Sequence, residues 1–119
     1  MRLSETEQLI MEKVWEKGTP VTAAELLQEM SAEKSWKMTT MLTFLSRLCD
    51  KSFLKAEKRG KTNWYTAAVS KKSYRMGAAK ELLNGLYGGS VKGLVASLTE
   101  NEGLTGEDIE SLRRWLETR

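Results

Sequence analysis

The sequence contains no histidine and only one cysteine, and these two shortages exclude most kinds of enzyme and metal site. Histidine is the commonest general base, and histidine and cysteine together supply the usual nucleophile pairings and most ligands of transition metals. Gly88, Gly89 and Gly103 lack the spacing of a nucleotide-binding loop. We therefore expect a protein that is not an enzyme and that binds neither a metal nor a cofactor.

Long apolar runs are also missing. No segment approaches the roughly 20 apolar residues that span a bilayer, and the first residues lack the apolar stretch of a signal peptide. The single cysteine, Cys49, cannot form an internal disulfide, and its position on an apolar helix face predicts a core residue. We expect a cytoplasmic protein with one globular domain or a small domain that carries a helical arm.

A helix predicted over residues 37–51 divides into two faces of different chemistry. At about 100° per residue, one sector is apolar, whereas the opposite sector carries hydroxyls and an arginine without a carboxylate until Asp50. Exposed helical faces normally mix glutamate with lysine, and short hydroxyl side chains suit a DNA major groove. The expected core face is Met38, Met41, Leu42, Leu45, Leu48 and Cys49, and the expected outward face is Trp36, Thr39, Thr40, Thr43, Ser46, Arg47 and Asp50.

A basic hairpin follows this helix, with strands predicted at 53–59 and 63–68 around a glycine turn. Residues 34–80 hold 12 Lys/Arg against two acidic residues, whereas the rest of the chain has a net charge of −7. Positive charge confined in this way indicates a surface for a polyphosphate. Strand alternation does not decide whether Trp64 or Tyr65 packs under the hairpin. The tip carries Lys58, Arg59 and Lys61.

Capping boxes mark two helices before this segment. Ser4 and Glu7 have the spacing that starts a helix at 5–17, and the same pattern at Thr22 precedes a helix at 23–31. Val21 stands where winged helices place a short edge strand. The fold class is therefore mostly α with a small β-hairpin wing, that is, a winged helix-turn-helix DNA-binding domain.

Beyond residue 70 the composition changes to three short helices separated by glycines. They are predicted at 71–86, from Ser90 through Leu98, and after the cap at Thr105. About 50 residues can hardly form their own core, so a second copy would cover their apolar faces. We predict a DNA-binding domain in residues 1–70 and a helical dimerisation region in residues 71–119. The alternative is a helical cap folded back on the same chain. The expected dimer residues are Tyr74, Leu82, Leu86, Tyr87, Leu94, Val95, Leu98, Ile109, Leu112, Trp115 and Leu116.

Several short segments, in this order and spacing, resemble the penicillinase repressor family over essentially the whole chain. They are Leu3–Glu7, Met11–Trp15, Thr40–Leu48 with Lys51, Gly60–Tyr65, Tyr87–Ser90 and Leu104–Leu112. The resemblance implies a homodimeric winged-helix repressor on a palindromic double-stranded DNA operator. It also implies that Thr40 and Thr43 face the major groove and that Arg47 contacts the DNA backbone. The helical wheel adds Lys37 and Thr39, and the hairpin adds Lys58, Arg59 and Lys61 as phosphate or minor-groove contacts.

The chain departs from the family pattern at three places. The cysteine-rich tail of the copper-responsive members is missing, so copper sensing is not expected. Resistance repressors of the family are inactivated by a protease at an Asn-Phe bond, and the matching bond here is Ser97-Leu98. Cleavage there is a hypothesis from alignment alone, and the alternative makes Leu98 a dimer-core residue. Ser52 replaces a common glycine, which is tolerated if this residue avoids positive φ.

Three functions remain open from the sequence. The leading one is a sequence-specific repressor, the second is a winged-helix protein-interaction module, and the third is a small-molecule-responsive regulator. The third would use a cavity in the dimer arm lined by Tyr74, Tyr87 and Trp115. Salt-dependent binding separates the first from the second, and a thermal shift with an effector would indicate the third.

Overall fold

The computed structural model describes residues 2–100 and 103–119, in which we find six helices and a three-stranded antiparallel sheet. The chain forms two compact units, Met1–Ala78 and Ala79–Arg119. No helix within the described ranges is long and apolar enough to cross a membrane. The elements are α1 (Glu5–Lys17), β1 (Val21–Thr22), α2 (Ala23–Glu29), α3 (Met38–Asp50), β2 (Leu54–Arg59), β3 (Thr62–Ala67), α4 (Lys71–Tyr87), α5 (Val91–Thr99) and α6 (Gly106–Glu117).

Helices α1 and α2 begin at the capping boxes that the sequence predicts. The Ser4 hydroxyl accepts a hydrogen bond from the Glu7 amide at 3.2 Å, and the Glu7 carboxylate accepts one from the Ser4 amide at 2.9 Å. Thr22 and Glu25 form the same reciprocal box at the start of α2. Gly18 ends α1 in the left-handed conformation, with φ of 68°.

The sheet places β3 between β1 and β2, so the edge strand expected at Val21 is present. Val21 pairs with Tyr65, and Thr22 pairs with Trp64. Tyr65 is buried, whereas Trp64 is half-buried, so Tyr65 is the aromatic residue that packs under the hairpin. The largest fully buried side chains are Ile10, Met11, Val21, Leu26, Met30, Met41, Leu45 and Leu48, which come from α1, β1, the region of α2, and α3.

The buried face of α3 is narrower than the face expected on the helical wheel, because only Met41, Leu45 and Leu48 of the expected core residues are fully buried. Met38 and Leu42 were expected in the core, but they are 36% and 43% exposed. Trp36, expected to point outward, is half-buried and stacks on Phe44 with 5.2 Å between ring centroids. This stack draws the helix toward its Phe44 side, which leaves Met38 and Leu42 at the outer edge. Cys49 is half-buried, and burial raises the pKa of its thiol, as does the nearby Asp50 carboxylate.

Ser52 takes the left-handed conformation, with φ of 65°, so the condition under which a serine would be tolerated there without strain is not met. The Phe53 amide donates to the Leu48 carbonyl at 2.9 Å, and the Ser52 amide donates to the Cys49 carbonyl at 3.0 Å. These two bonds form a Schellman motif, which needs positive φ at the residue after the C-cap. Phe53 is 5% exposed, so its burial directs the chain into this turn.

A buried ion pair joins the start of α1 to the end of α3. Glu7 is 3% exposed, and the Lys51 ammonium donates to its two carboxylate oxygens at 2.7 and 2.9 Å. Burial raises the pKa of Glu7, but the hydrogen bonds from Lys51 and from Ser4 outweigh burial and lower the pKa below its ordinary value. The carboxylate is therefore ionised in the folded protein at neutral pH.

Tyr74 is half-buried and packs against the core of the first unit, whereas the sequence placed it in a dimer surface. Its ring lies 5.9 Å from the ring of Trp15 and 5.6 Å from that of Phe53, measured between centroids. Its hydroxyl accepts a hydrogen bond from the Leu3 amide at 3.2 Å. The first unit therefore includes the beginning of α4 and extends beyond the boundary expected after residue 70.

The second unit has well-capped helices but buries none of its described side chains. The Ser90 hydroxyl accepts from the Gly93 amide at 2.9 Å, and Thr105 forms a capping box with Asp108. On α6, Arg113 contacts Glu110 and Glu117, while the apolar residues lie at a helical spacing on another side. The exposed apolar side chains of this unit are Leu82, Leu86, Val91, Leu98, Ile109, Leu112, Trp115 and Leu116.

Replacing Ser52 by glycine should stabilise the first unit. A non-glycine residue in the left-handed region costs about 1–2 kcal/mol, and the extra freedom of unfolded glycine offsets roughly half of that. We expect Ser52→Gly to raise the free energy of unfolding by about 0.5–1 kcal/mol in urea denaturation. Gly18→Ser is the matched reverse change, because Gly18 has φ of 68° and an added Cβ would meet nothing within 4 Å. A loss of similar size is expected there, and a destabilised Ser52→Gly would contradict the assignment.

Replacing Glu7 by glutamine should destabilise the protein at neutral pH but much less in acid. Because folding lowers the pKa of Glu7, the ionised pair stabilises the fold above the unfolded pKa of about 4.3 and loses this effect as pH falls through the folded pKa. We expect Glu7→Gln to cost roughly 1–3 kcal/mol at neutral pH. Urea denaturation at several pH values measures this cost. Glu12→Gln is the control, since Glu12 accepts from Lys71 at 2.8 Å in an exposed pair and should matter far less. An equal cost for Glu7→Gln at about pH 3 and pH 7 would contradict the pKa direction.

Candidate nucleic-acid interface

The side of α3 opposite its buried residues is exposed and polar. Thr39, Thr43, Ser46 and Arg47 are exposed there, and Thr40 is half-buried at its edge. The buried side holds α3 against the core through Met41, Leu45 and Leu48. The exposed side is therefore not needed to pack α3 and can contact a ligand. The four threonine and serine hydroxyls project from one rigid helix, which is the geometry that can enter a major groove.

Thr43 is partly satisfied within the helix. Its hydroxyl donates to the Thr39 carbonyl at 2.9 Å. Because a hydroxyl has one proton and two lone pairs, the Thr43 oxygen can then only accept a further hydrogen bond. Its complementary groups on DNA are therefore amino groups of bases, and its methyl group adds an apolar contact beside them.

The start of α3 is suited to a negatively charged ligand. Lys37 is the exposed N-cap residue, and its side chain has no oxygen that could accept from the first-turn amides. The first turn also contains no acidic residue. The lack of a side-chain cap on the first turn and the positive end of the helix dipole favour a phosphate at this position.

An aromatic stack supports Arg47. The Arg47 guanidinium carbon lies 5.6 Å from the centroid of the Phe44 ring, and Phe44 in turn stacks on Trp36. This cation–π contact holds the guanidinium beside the outward face and limits its rotamers. Arg47 was predicted from the sequence, but Phe44 and Trp36 were not predicted as its support. The i, i+3 spacing of Phe44 and Arg47 was the available signal.

The β2–β3 hairpin carries the cationic residues of the wing. Lys58 pairs with Asn63 and Arg59 with Thr62, and Gly60 turns the chain with φ of 65°. Lys58 and Lys61 are exposed at the tip. These residues lie in the same compact unit as α3.

Arg59 differs from the two lysines because it has partners in the hairpin. Its guanidinium lies 5.4 Å from the centroid of Trp64 and 3.6 Å from the Glu57 carboxylate. Both the pair and the ring contact are on an exposed edge, so a phosphate can compete with Glu57 at little cost. The lysines therefore provide the mobile charges of the wing, and Arg59 provides a more fixed one.

Comparison with known proteins gives a consistent picture. The family model described as penicillinase repressor matches residues 3–118. The penicillinase repressor of Staphylococcus aureus is 33% identical over 95% of this chain and 89% of its own length, and that of Bacillus licheniformis is 30% identical over 98% and 90%. The solution structure of monomeric Bacillus licheniformis BlaI in complex with the blaP half-operator matches with a TM-score of 0.53 and 27% identity. That match covers 62% of this chain and 89% of the other.

Proposed function

Since the chain belongs to the penicillinase repressor family, we propose that it is a DNA-binding transcriptional repressor that uses α3 to read the major groove of its operator. The carrying observation is the exposed hydroxyl and cationic side of α3, whose opposite side is fully buried. The similarity to a family protein bound to a half-operator supports the same assignment. Repression follows because a protein bound to the operator blocks access of the transcription machinery to that DNA.

We assign two different tasks to the candidate contact residues. Thr39, Thr40 and Thr43 face the base edges from α3, where hydroxyl and methyl groups distinguish base pairs. The cationic side chains bind phosphates, which fixes the position of the protein but carries little sequence information. These cationic residues are Lys37 and Arg47 at α3 and Lys58, Arg59 and Lys61 at the wing.

We further propose that the second unit joins two copies of the chain on a palindromic operator. This unit exposes large apolar side chains and buries none of its described residues, so it lacks a core of its own. Ile109, Leu112 and Leu116 are spaced to form one side of α6, and Leu98 extends the exposed apolar surface of α5. A second copy offers the same apolar surface, and a two-fold interface pairs each patch with its equivalent.

Release by proteolysis at Ser97-Leu98 remains a secondary proposal. Both residues are exposed, but the bond lies within α5, which extends to Thr99. Proteases bind extended chain, so cleavage would require local unwinding of this short helix. Leu98 is 44% exposed, which also fits a residue that a second copy covers.

Selection of bound fragments from the source genome at about 150 mM salt tests the proposed function. We expect enrichment of a two-fold symmetric motif, with affinity that falls by several decades between about 50 and 200 mM salt. Each lysine that contacts a phosphate adds roughly one unit to the salt slope, so Lys58→Gln with Lys61→Gln should lower the slope by about two. Lys92→Gln in α5 is the control and should leave the slope unchanged. Weak binding without an enriched motif would instead favour a protein-interaction module.

Introducing a charge into the apolar side of α6 should separate the two copies. We expect Leu112→Asp to be monomeric in sedimentation equilibrium and to bind the full operator at least about tenfold more weakly, because the two half-sites no longer act together. Binding to an isolated half-site should be unchanged. Ser111→Asp is the matched control, since it places the same residue one position away on the polar side of α6. A Leu112→Asp variant that stays dimeric, or a wild-type chain that is monomeric, would contradict the proposed interface.

A further inference from the structure

Leu42 lies on the outer side of α3 and not in the core. Its side chain is 43% exposed, while Met41 beside it and Leu45 one turn later are completely buried. The spacing of α3 puts Leu42 next to Thr39, three residues earlier, and Ser46, four residues later. An apolar side chain therefore stands within the hydroxyl-bearing surface that we assign to the operator.

A single exposed leucine is ordinary on a protein surface, so exposure alone does not give Leu42 a role. The neighbours of Leu42 indicate a role for it. The Thr43 hydroxyl donates its proton to the Thr39 carbonyl at 2.9 Å and therefore does not offer that proton to a ligand. Met38, four residues before Leu42, is 36% exposed and continues the apolar strip along the helix. This part of α3 thus presents carbon to its ligand where the rest presents hydroxyls and positive charge.

The major groove contains one apolar group that such a strip can contact. Base pairs present hydrogen-bond donors and acceptors at their major-groove edges, and only thymine adds a methyl group. We propose, building on the proposed function, that Leu42 determines specificity by packing against the 5-methyl group of a thymine in each half-site. Guanine or cytosine at that position would leave the Leu42 side chain against polar groups.

The test replaces each thymine of the selected operator, one at a time, by deoxyuridine. This substitution removes only the methyl group and keeps the base pairing. With the wild-type full-length chain, we expect at least one position per half-site at which deoxyuridine weakens binding roughly fourfold, the effect of burying about one methyl group. With Leu42→Ala, the same deoxyuridine should have an effect of less than about 1.5-fold, because no side chain reaches the methyl group.

Two further variants separate the contact from general effects. Leu9→Ala truncates a leucine of similar exposure, 37%, on α1, and it should keep the fourfold deoxyuridine effect. Leu42→Met retains an apolar side chain and should keep most of that effect. Equal melting temperatures show that these variants fold alike.

The outcomes distinguish this inference from the proposed function. If an operator is selected but every deoxyuridine effect is the same in wild type and in Leu42→Ala, the thymine contact is wrong and the repressor assignment stands. If no motif is enriched, the repressor assignment fails, and the thymine contact fails with it. Loss of the deoxyuridine effect in Leu42→Ala alone supports both.

Discussion

The site depends on one packing arrangement, the burial of the inner side of α3. Met41, Leu45 and Leu48 have no exposed surface, and burying an aliphatic side chain of this size contributes about 1.5–3 kcal/mol. A favourable pair on a helix surface contributes only about 0.2–0.5 kcal/mol. Since the inner side holds α3 in place, its outer side needs no Glu–Lys pairs. Hydroxyls that would be poor choices for an isolated helix can therefore remain there for a ligand.

The end of α3 is held as firmly as its inner side. Lys51 connects it to the buried carboxylate of Glu7, and Ser52 turns the chain so that Phe53 enters the core. The wing begins directly afterwards at Leu54. The recognition helix and the wing are therefore joined by a short connection with no flexible linker. This connection favours a single arrangement of the two elements, as the proposed joint contact with DNA requires.

Patterns of residues close together in the sequence predicted the helices and strands well. Contacts between residues far apart in the chain could not be predicted from the sequence. The reciprocal box of Ser4 and Glu7 involves residues three positions apart, so its pattern is visible in the sequence and it forms as expected. The left-handed Ser52 depends on the burial of Phe53, and the place of Tyr74 depends on rings from other elements. No local pattern contains this information. The same reasoning explains why α3 and its buried residues Met41, Leu45 and Leu48 were predicted but the exposure of Met38 and Leu42 was not.

Within the site, the sequence correctly identified the hydroxyl-bearing helix and the cationic wing, but it assigned Leu42 to the core. A helical wheel places residues by their angle around the helix axis. Leu42 falls at an angle close to those of Met38 and Cys49, so the wheel puts it in the apolar sector. The wheel also placed Trp36 on the outward face as if it were helical, whereas Trp36 precedes α3 and stacks on Phe44. The DNA contacts of individual residues stay predictions.

The outer side of α3 carries a chemical bias toward one kind of base pair. Thr43 can only accept a further hydrogen bond, because its proton is donated to the Thr39 carbonyl, and both adenine and cytosine present an amino donor in the major groove. Leu42 is apolar, and thymine presents the methyl group. An A·T pair presents both groups, whereas a G·C pair offers only the cytosine amino group to Thr43 and no methyl group to Leu42. If α3 enters the groove as proposed, an A·T pair satisfies Leu42 and Thr43 together, and the two acceptors of guanine need a hydrogen-bond donor other than Thr43.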